Sequence, residues 1–359
     1  MTLTAGVEGT TNGQIIIDAG GNITTTGSNA GGSSNATGGA GGAVTLNTNG
    51  ENITLIDANI STGGGAKAAS GTDGAGGNIS IQDPLRVGSG TASATNTLDT
   101  GTTAGNITFS GAIDGHDPAS LPGAASLSNF DDHLILLSGT GSFTFGGNIG
   151  DTLALTSLGI NSTAGTAAFT VPQIGGGGSQ GVTGAVTLGN TGSGDITFSG
   201  SGANAFDIGG KLTVTSDGGA DAFKFTGTDT VITADGGIEF VSGASDDDGI
   251  TLTDEKDLTL ASTNTDITVT SVVGVDGNTG EDFTVTITQS GAGGGTATVG
   301  AISTDINDVI ITAPTIKLKG NITTELDGAD AASIDLNGAV VVDASTVTLT
   351  TGNGTIDFS

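Results

Sequence analysis

The chain has 359 residues, with 7 Lys and Arg against 37 Asp and Glu, a formal net charge of −30. That balance excludes nucleic acid as a partner, because displacing counterions from phosphates takes Lys and Arg. It also excludes attachment to an anionic membrane surface. Gly supplies 67 residues, aromatic content is 3% and all of it is Phe, and Cys, Trp and Tyr are absent. There is thus no disulfide framework, and the apolar core must be built from Ile, Val, Leu and a few Phe. High Gly with strong net charge can mark a chain that never folds. Here the 35% of hydrophobic residues gather in short alternating runs, which a disordered chain does not need.

One template recurs from end to end: a small or polar residue, then apolar, polar, apolar. In chain order it reads Asn22-Ile23-Thr24, Ala43-Val44-Thr45-Leu46, Asn52-Ile53-Thr54-Leu55, Asn78-Ile79-Ser80-Ile81, Asn106-Ile107-Thr108-Phe109 and Ser142-Phe143-Thr144-Phe145. It continues as Ala185-Val186-Thr187-Leu188, Asp195-Ile196-Thr197-Phe198, Lys211-Leu212-Thr213-Val214, Phe223-Lys224-Phe225, Gly237-Ile238-Glu239-Phe240, Gly249-Ile250-Thr251-Leu252 and Asp257-Leu258-Thr259-Leu260, and later copies run to Ile356-Asp357-Phe358. Period-two alternation puts Ile, Val, Leu and Phe on one face and Thr, Ser, Lys or Asp on the other, as in short strands. No segment sustains a 3.6-residue period, so helix is excluded. No apolar stretch approaches the roughly 20 residues that cross a membrane as a helix, and membrane insertion is not expected. Met1-Thr2-Leu3-Thr4 leads directly into strand-like sequence with no signal peptide; the chain is therefore read as an excerpt of a longer protein, open at both ends.

Three regions are expected. Residues 1–115 read as coils with Gly-rich loops. Their repeat aligns by eye, Gly21-Asn22-Ile23-Thr24 with Ala58-Asn59-Ile60-Ser61 and Gly42-Ala43-Val44-Thr45 with Gly77-Asn78-Ile79-Ser80, at an offset of about 35 residues, a period typical of solenoids. The loops 27–42 and 63–77 read as flexible protrusions from one corner. Residues 116–182 hold Pro118, Pro122, Pro172 and both histidines and read as an irregular coil with an insertion. Residues 183–359 read as regular coils.

The Gly-Gly-Asn-Ile-(Thr/Ser) repeats and the stretch Gly141-Ser142-Phe143-Thr144-Phe145-Gly146-Gly147-Asn148-Ile149-Gly150 resemble filamentous-haemagglutinin-like exoproteins and the repeats of giant bacterial adhesins. The resemblance implies a right-handed parallel β-helix, secretion and a place at the cell surface. The residues alone point the same way: short strands that stack coil on coil bury a continuous core that no single coil can bury, with about 20–30 residues per coil as in solenoid repeats. The alternative fold is a string of β-sandwich domains, against which stands the absence of the core Trp and corner Tyr of immunoglobulin-like domains.

Chemistry is sparse. The only Arg is Arg86, there are no Trp or Tyr platforms for sugars, and Asp is spread over turns, where it favours the backbone conformation. Catalysis needs clustered acids, bases and electrophiles, so the chain is not expected to be an enzyme. His116-Asp117 and Asp131-Asp132-His133 read as a polar loop and a strand start, since closed zinc sites use Cys and His in recognisable spacing. Calcium is the one metal considered, because Asp oxygens at tight turns are hard ligands; the candidates are Asp246, Asp247, Asp248, Asp254, Glu255 and Asp257. The Gly-Gly-x-Gly-x-Asp nonapeptide of calcium-binding β-rolls does not occur. No other cofactor is expected. The Asn-x-Ser/Thr motifs at Asn22, Asn52, Asn78, Asn106 and Asn321 follow from the strand template.

The function expected is that of a structural and adhesive rod segment of a large bacterial surface or secreted protein, acting in attachment or cell–cell contact. Its expected partners are neighbouring coils of the parent protein, a cell-surface or polysaccharide ligand, and its own ends through end-to-end association. The alternatives are a self-assembling extracellular filament or surface-layer protein and a carbohydrate-active β-helix enzyme.

Overall fold

The computed structural model describes the chain except for residues 6–12, 19, 33, 89–94, 117–131, 164–167, 177–178, 193, 217–222, 227–228, 243–248, 254–256, 264, 276–282, 292, 304 and 325–331, and except for the side chains of 204 and 242. Among the described residues the fold is all-β, with strands of 2 to 13 residues and no helix. The alternating runs become the strands: Ile23–Thr24, Val44–Asn47, Ile53–Ile56, Ile79–Ile81 and Ile107–Phe109 in the first part, Ile196–Phe198, Leu212–Ser216, Phe223–Phe225 and Ile238–Ser242 further on. The sequence reading did not single out Thr95–Asp99, Ser157–Ser162 and Gly202–Ile208, which carry few β-branched residues and owe their conformation to the strands beside them.

Every ladder between strands of the described residues is parallel. Sandwich domains are built from antiparallel sheets, so that alternative fails. The fold is one of parallel sheets, consistent with a parallel β-solenoid. The chain divides into two compact units, residues 1–183 with 187–194, and residues 184–186 with 195–359.

In the first unit three ladders run side by side. One joins Thr2–Thr4, Val44–Asn47, Ile79–Ile81, Ile107–Phe109 and Phe143–Phe145. A second joins Ile15–Ile17, Ile53–Ile56, Leu85–Gly88 and Ile113–Gly115. The third joins Ile23–Thr24, Asn59–Ser61, Thr95–Asp99, His133–Ser138 and Ser157–Ser162. The pairings Ile23 with Ile60 and Val44 with Ile79 are those of the sequence repeat. Partners lie from 24 residues apart (His133 with Ser157) to 43 (Thr2 with Thr45), wider than the expected coil because loops of unequal length intervene. In the second unit the spread is 19 (Thr296 with Thr315) to 30 (Ile267 with Ala297).

Parallel in-register pairing stacks like on like about 4.8 Å apart. Val44, Ile79, Ile107 and Phe143 form one inward row, and Thr45, Ser80, Thr108 and Thr144 the outward row beside it. In the second unit Ile196, Phe223 and Ile250 stack, as do Phe198, Phe225 and Leu252, all buried. The rings of Phe198 and Phe225 lie parallel with centroids 4.7 Å apart, and Phe206 meets Phe198 edge-on at 5.4 Å. A few Phe, placed to touch one another, thus replace the missing Trp and Tyr.

The polar residue that opens the template holds the register. Its side-chain oxygen accepts the backbone N–H at the corresponding position one coil on: Asn22 from Asn59 at 2.8 Å, Asn59 from Thr97 at 3.0 Å, Asn78 from Asn106 at 2.9 Å, Asn106 from Ser142 at 2.9 Å and Asn321 from Thr348 at 2.8 Å. Asp266 and Asp308 accept from Thr296 and Ser333 in the same way. The Asn-x-Ser/Thr motif is therefore a structural ladder that satisfies a donor just outside the strand pairing.

The few cations answer the acidic rows. Lys224 pairs with Asp195 and Lys211 with Glu239, each across to a neighbouring coil. At Asp207 burial, and then the nearby charge of Asp235, raise the carboxyl above the ordinary value of 3.8.

Two outcomes follow from this packing. Phe198→Ala should destabilise the second unit by about 3–5 kcal/mol in chemical denaturation, whereas Thr197→Ala, on the outward face, should cost well under about 1 kcal/mol; equal losses would mean the faces are misassigned. Asp207 has a raised folded pKa, so its charged form is disfavoured by folding, and the penalty holds above that pKa and disappears below the unfolded value. Asp207→Asn should therefore raise the melting temperature at pH 7, and the gain should shrink to nothing as the pH falls below 3.8; a gain that persists unchanged in acid would refute the electrostatic cause.

Candidate functional site: a glycine-packed loop platform

In the third ladder of the first unit the first four strands end at a corner with a recurring clamp. The hydroxyl two positions beyond the last inward apolar residue turns inward and donates to the carbonyl of a Gly two positions before the next strand. Thr25 bonds Gly42, Thr62 bonds Gly77 at 2.6 Å, Thr100 bonds Gly105 at 2.9 Å and Ser138 bonds Gly141 at 2.7 Å. The amide of Asn190 does the same to Gly194. Thr62, Thr100, Ser138 and Asn190 are wholly buried, and a buried hydroxyl without an acceptor would be costly. The clamp spans 17, 15, 5, 3 and 4 residues. One geometry at the base thus accepts a loop of almost any length.

The two long loops do not protrude as flexible strings, and the sequence expectation is corrected here. Four extended segments, near residues 25–30, 36–42, 62–68 and 71–77, lie against one another with backbone hydrogen bonds every third residue. Gly39 and Gly42 donate to Ser28 and Thr25, Gly65 and Ala68 to Gly39 and Ala36, Gly74 and Gly77 to Gly65 and Thr62. Parallel neighbours bond with the same step, Gly27 and Ala30 to Gly63 and Ala66, Gly38 and Gly41 to Thr72 and Ala75. A three-residue period is that of polyproline II, so the loops form a bundle of polyproline II segments. Their backbones approach so closely that a methyl group on Gly38, Gly65 or Gly74 would overlap the carbonyl of Gly65, Ser28 or Gly39. The Gly-rich composition that reads locally as flexibility serves close packing, as at the crowded axis of collagen.

The outer surface of this platform carries Thr26, Asn29, Asn35, Thr37, Ser70 and Thr72, all exposed, with Thr37 and Thr72 hydroxyls 3.2 Å apart. Lys67 and Asp73 are the only charged residues between 25–43 and 62–78, and the Lys67 amide donates to Asp73. In a chain of charge −30 the platform is a nearly neutral array of hydroxyls and amides held by backbone hydrogen bonds, suited to binding a polar uncharged surface.

Of the calcium candidates, Asp246, Asp247, Asp248, Asp254 and Glu255 lie outside the described residues. Asp257 serves the register ladder: its carboxylate accepts the Thr284 N–H at 2.8 Å, and its own N–H donates to Asp229 at 3.4 Å. Among the described residues no group of three or more His, Cys, Asp or Glu could hold a metal. Asp117 and Asp131 are outside the description. His116 is buried against Gly88, and its backbone N–H donates to Asp132 at 3.1 Å; the His133 ring bonds Ser157 at 2.6 Å. Arg86 Nη1 lies 2.9 Å from the buried carboxylate of Asp114, whose other oxygen accepts from Thr152 at 2.9 Å. The single Arg thus holds two adjacent coils together, a pairing that the sequence reading missed. It also missed the clamp, whose signal is present: Ile-x-Thr, a spacer, then Gly-x-apolar, as in Ile60-Ser61-Thr62 and Gly77-Asn78-Ile79.

Hydrogen exchange followed by mass spectrometry should find the amides of Gly27, Gly39, Gly65 and Gly74 protected well beyond unstructured peptide rates. Gly65→Val should abolish that protection and open 25–42 and 62–77 to protease while leaving the strand amides protected. Fast exchange of these loop amides in the unaltered protein would refute the bundle.

Comparison with known proteins adds no assignment: no family model matches the sequence, no curated protein matches it, and no solved structure matches the fold.

Proposed function

We propose that this chain is a right-handed parallel β-helix that serves as a structural and adhesive segment of a large bacterial cell-surface or secreted protein, and that it is not an enzyme. The observation that carries the reading is the loop platform. Two long loops leave one clamped corner and pack into a rigid, nearly neutral hydroxyl- and amide-rich surface, and neither is needed to bury the core. Rigid polar surfaces bind without first ordering a loop, which lowers the cost of association. The likeness of the Gly-Gly-Asn-Ile repeats to filamentous-haemagglutinin-like exoproteins supports an extracellular, cell-surface setting, and so does the absence of cations that would serve nucleic acid.

Beads coated with the protein, offered to bacterial and host-cell surfaces, test this reading. Coated beads should attach, and Gly65→Val beads should attach at least tenfold less. Equal attachment by both would remove the loops from the contact. No attachment by the unaltered protein would overturn the adhesive reading.

A further inference from the structure

In the second unit the outward side chains form two neighbouring columns. Glu239, Thr268, Thr298 and Lys317 stack in one, by the register of strands Ile238–Ser242, Ile267–Val275, Thr296–Ser303 and Ile306–Leu318. Two residues further along these strands the second column runs through Val241, Thr270, Gly300 and Lys319, the last fixed by its N–H bond to the Val299 carbonyl at 2.8 Å. Gly300 sits against its neighbour so closely that a methyl group there would overlap the Thr270 carbonyl. Beside this close approach lies a groove of about 370 Å³ whose lining includes Thr268, Val269, Thr298, Ala301 and Lys319; Lys317 stands next to Thr298 in the first column. That volume is at the small end of ligand pockets, which run about 300–1,000 Å³.

The charge at this groove is unlike that of the rest of the chain. Only 7 Lys and Arg occur in the sequence, and two of them stand here. Lys317 and Lys319 share one carboxylate, Asp343, at 3.9 and 4.0 Å, and the ammonium-bearing side chains are 39% and 54% exposed. Lys211 and Lys224, by contrast, each have a carboxylate in close contact. Two ammoniums on one distant carboxylate leave a positive excess beside the groove. At physiological ionic strength charges are screened over about 8 Å, so a ligand in the groove responds to Lys317, Lys319 and Asp343 more than to the remote acidic rows.

We propose that the groove at Gly300 binds an acidic sugar unit, its carboxylate or sulfate on Lys317 and Lys319 and its hydroxyls on Thr268 and Thr298. The groove offers the hydroxyls of Thr268, Thr270 and Thr298 and the ammonium of Lys319, with Lys317 beside Thr298, and no ring to stack on, which favours an anionic saccharide over a neutral one. The inference rests on the adhesive reading only for the class of partner; it uses none of the platform residues.

The test is calorimetric titration of the full chain in 0.15 M NaCl with oligogalacturonate, a chondroitin sulfate oligosaccharide and neutral maltohexaose. At least one acidic oligosaccharide should bind and maltohexaose should not; which one binds tells carboxylate from sulfate. Lys319→Gln and Lys317→Gln should each weaken binding about fivefold or more, and Asp343→Asn, which removes the competing carboxylate, should tighten it. These side chains are exposed, so circular dichroism should be unchanged. Failure of both acidic ligands to bind, equal binding of maltohexaose, or indifference to Lys319→Gln would each overturn the site. Gly65→Val should leave this binding intact, so that failure here and failure of the loop platform are read separately.

Discussion

The structure depends on parallel, in-register pairing of each strand with the strand that occupies the same position one coil away. Backbone hydrogen bonds run along the stack, so a residue's nearest neighbours are its counterparts in adjacent coils, about 4.8 Å above and below. Whatever occupies a position must tolerate copies of itself. Ile, Val and Phe stack on one another and bury apolar area; Thr and Ser tolerate one another on the outside; Asn accepts a neighbour's N–H and repeats, as Asn22 does from Asn59 and Asn59 from Thr97. The composition, rich in Thr, Asn and Ile and poor in Lys and aromatic residues, is what such stacking permits.

Acidic residues strain the same rule. Like charges in adjacent coils repel, and the structure answers with a cation in the next coil at Lys224 and Lys211 and with the Arg86–Asp114 pair. The two exposed lysine pairs contribute little each, about 0–1 kcal/mol. Their effect is to remove a repulsion that stacking would otherwise multiply. At Asp207 burial, and then the charge of Asp235, push the carboxyl up. Where cations exceed carboxylates, as at Lys317 and Lys319, the surface has attraction left over for a ligand.

The clamp separates what the fold requires from what the surface presents. Thr62 with Gly77 and Ser138 with Gly141 close loops of 15 and 3 residues by the same bond. Loop-closure entropy rises slowly with length, so a pinned base makes long insertions inexpensive in free energy. Once two long loops leave adjacent coils they meet, and Gly at the closest approaches, such as Gly38, Gly65 and Gly74, lets their backbones bond. Rigidity then comes from contacts between loops, which neither loop has alone.

Most strands, their inward and outward faces, and the pairing of Ile23 with Ile60 and Val44 with Ile79 were legible in the sequence, because alternation and repetition are local properties that each such strand writes in its own residues; Thr95–Asp99, Ser157–Ser162 and Gly202–Ile208 were not. The sequence by itself did not determine how unequal loops stagger the coils, that Gly38, Gly65 and Gly74 pack a bundle and do not loosen one, that Asp257 supports Thr284, or that Lys317 and Lys319 meet over Asp343. Each of these joins residues from different coils or loops. Which of them become neighbours is set by the summed lengths of the loops between, a nonlocal quantity that only the stacked structure decides.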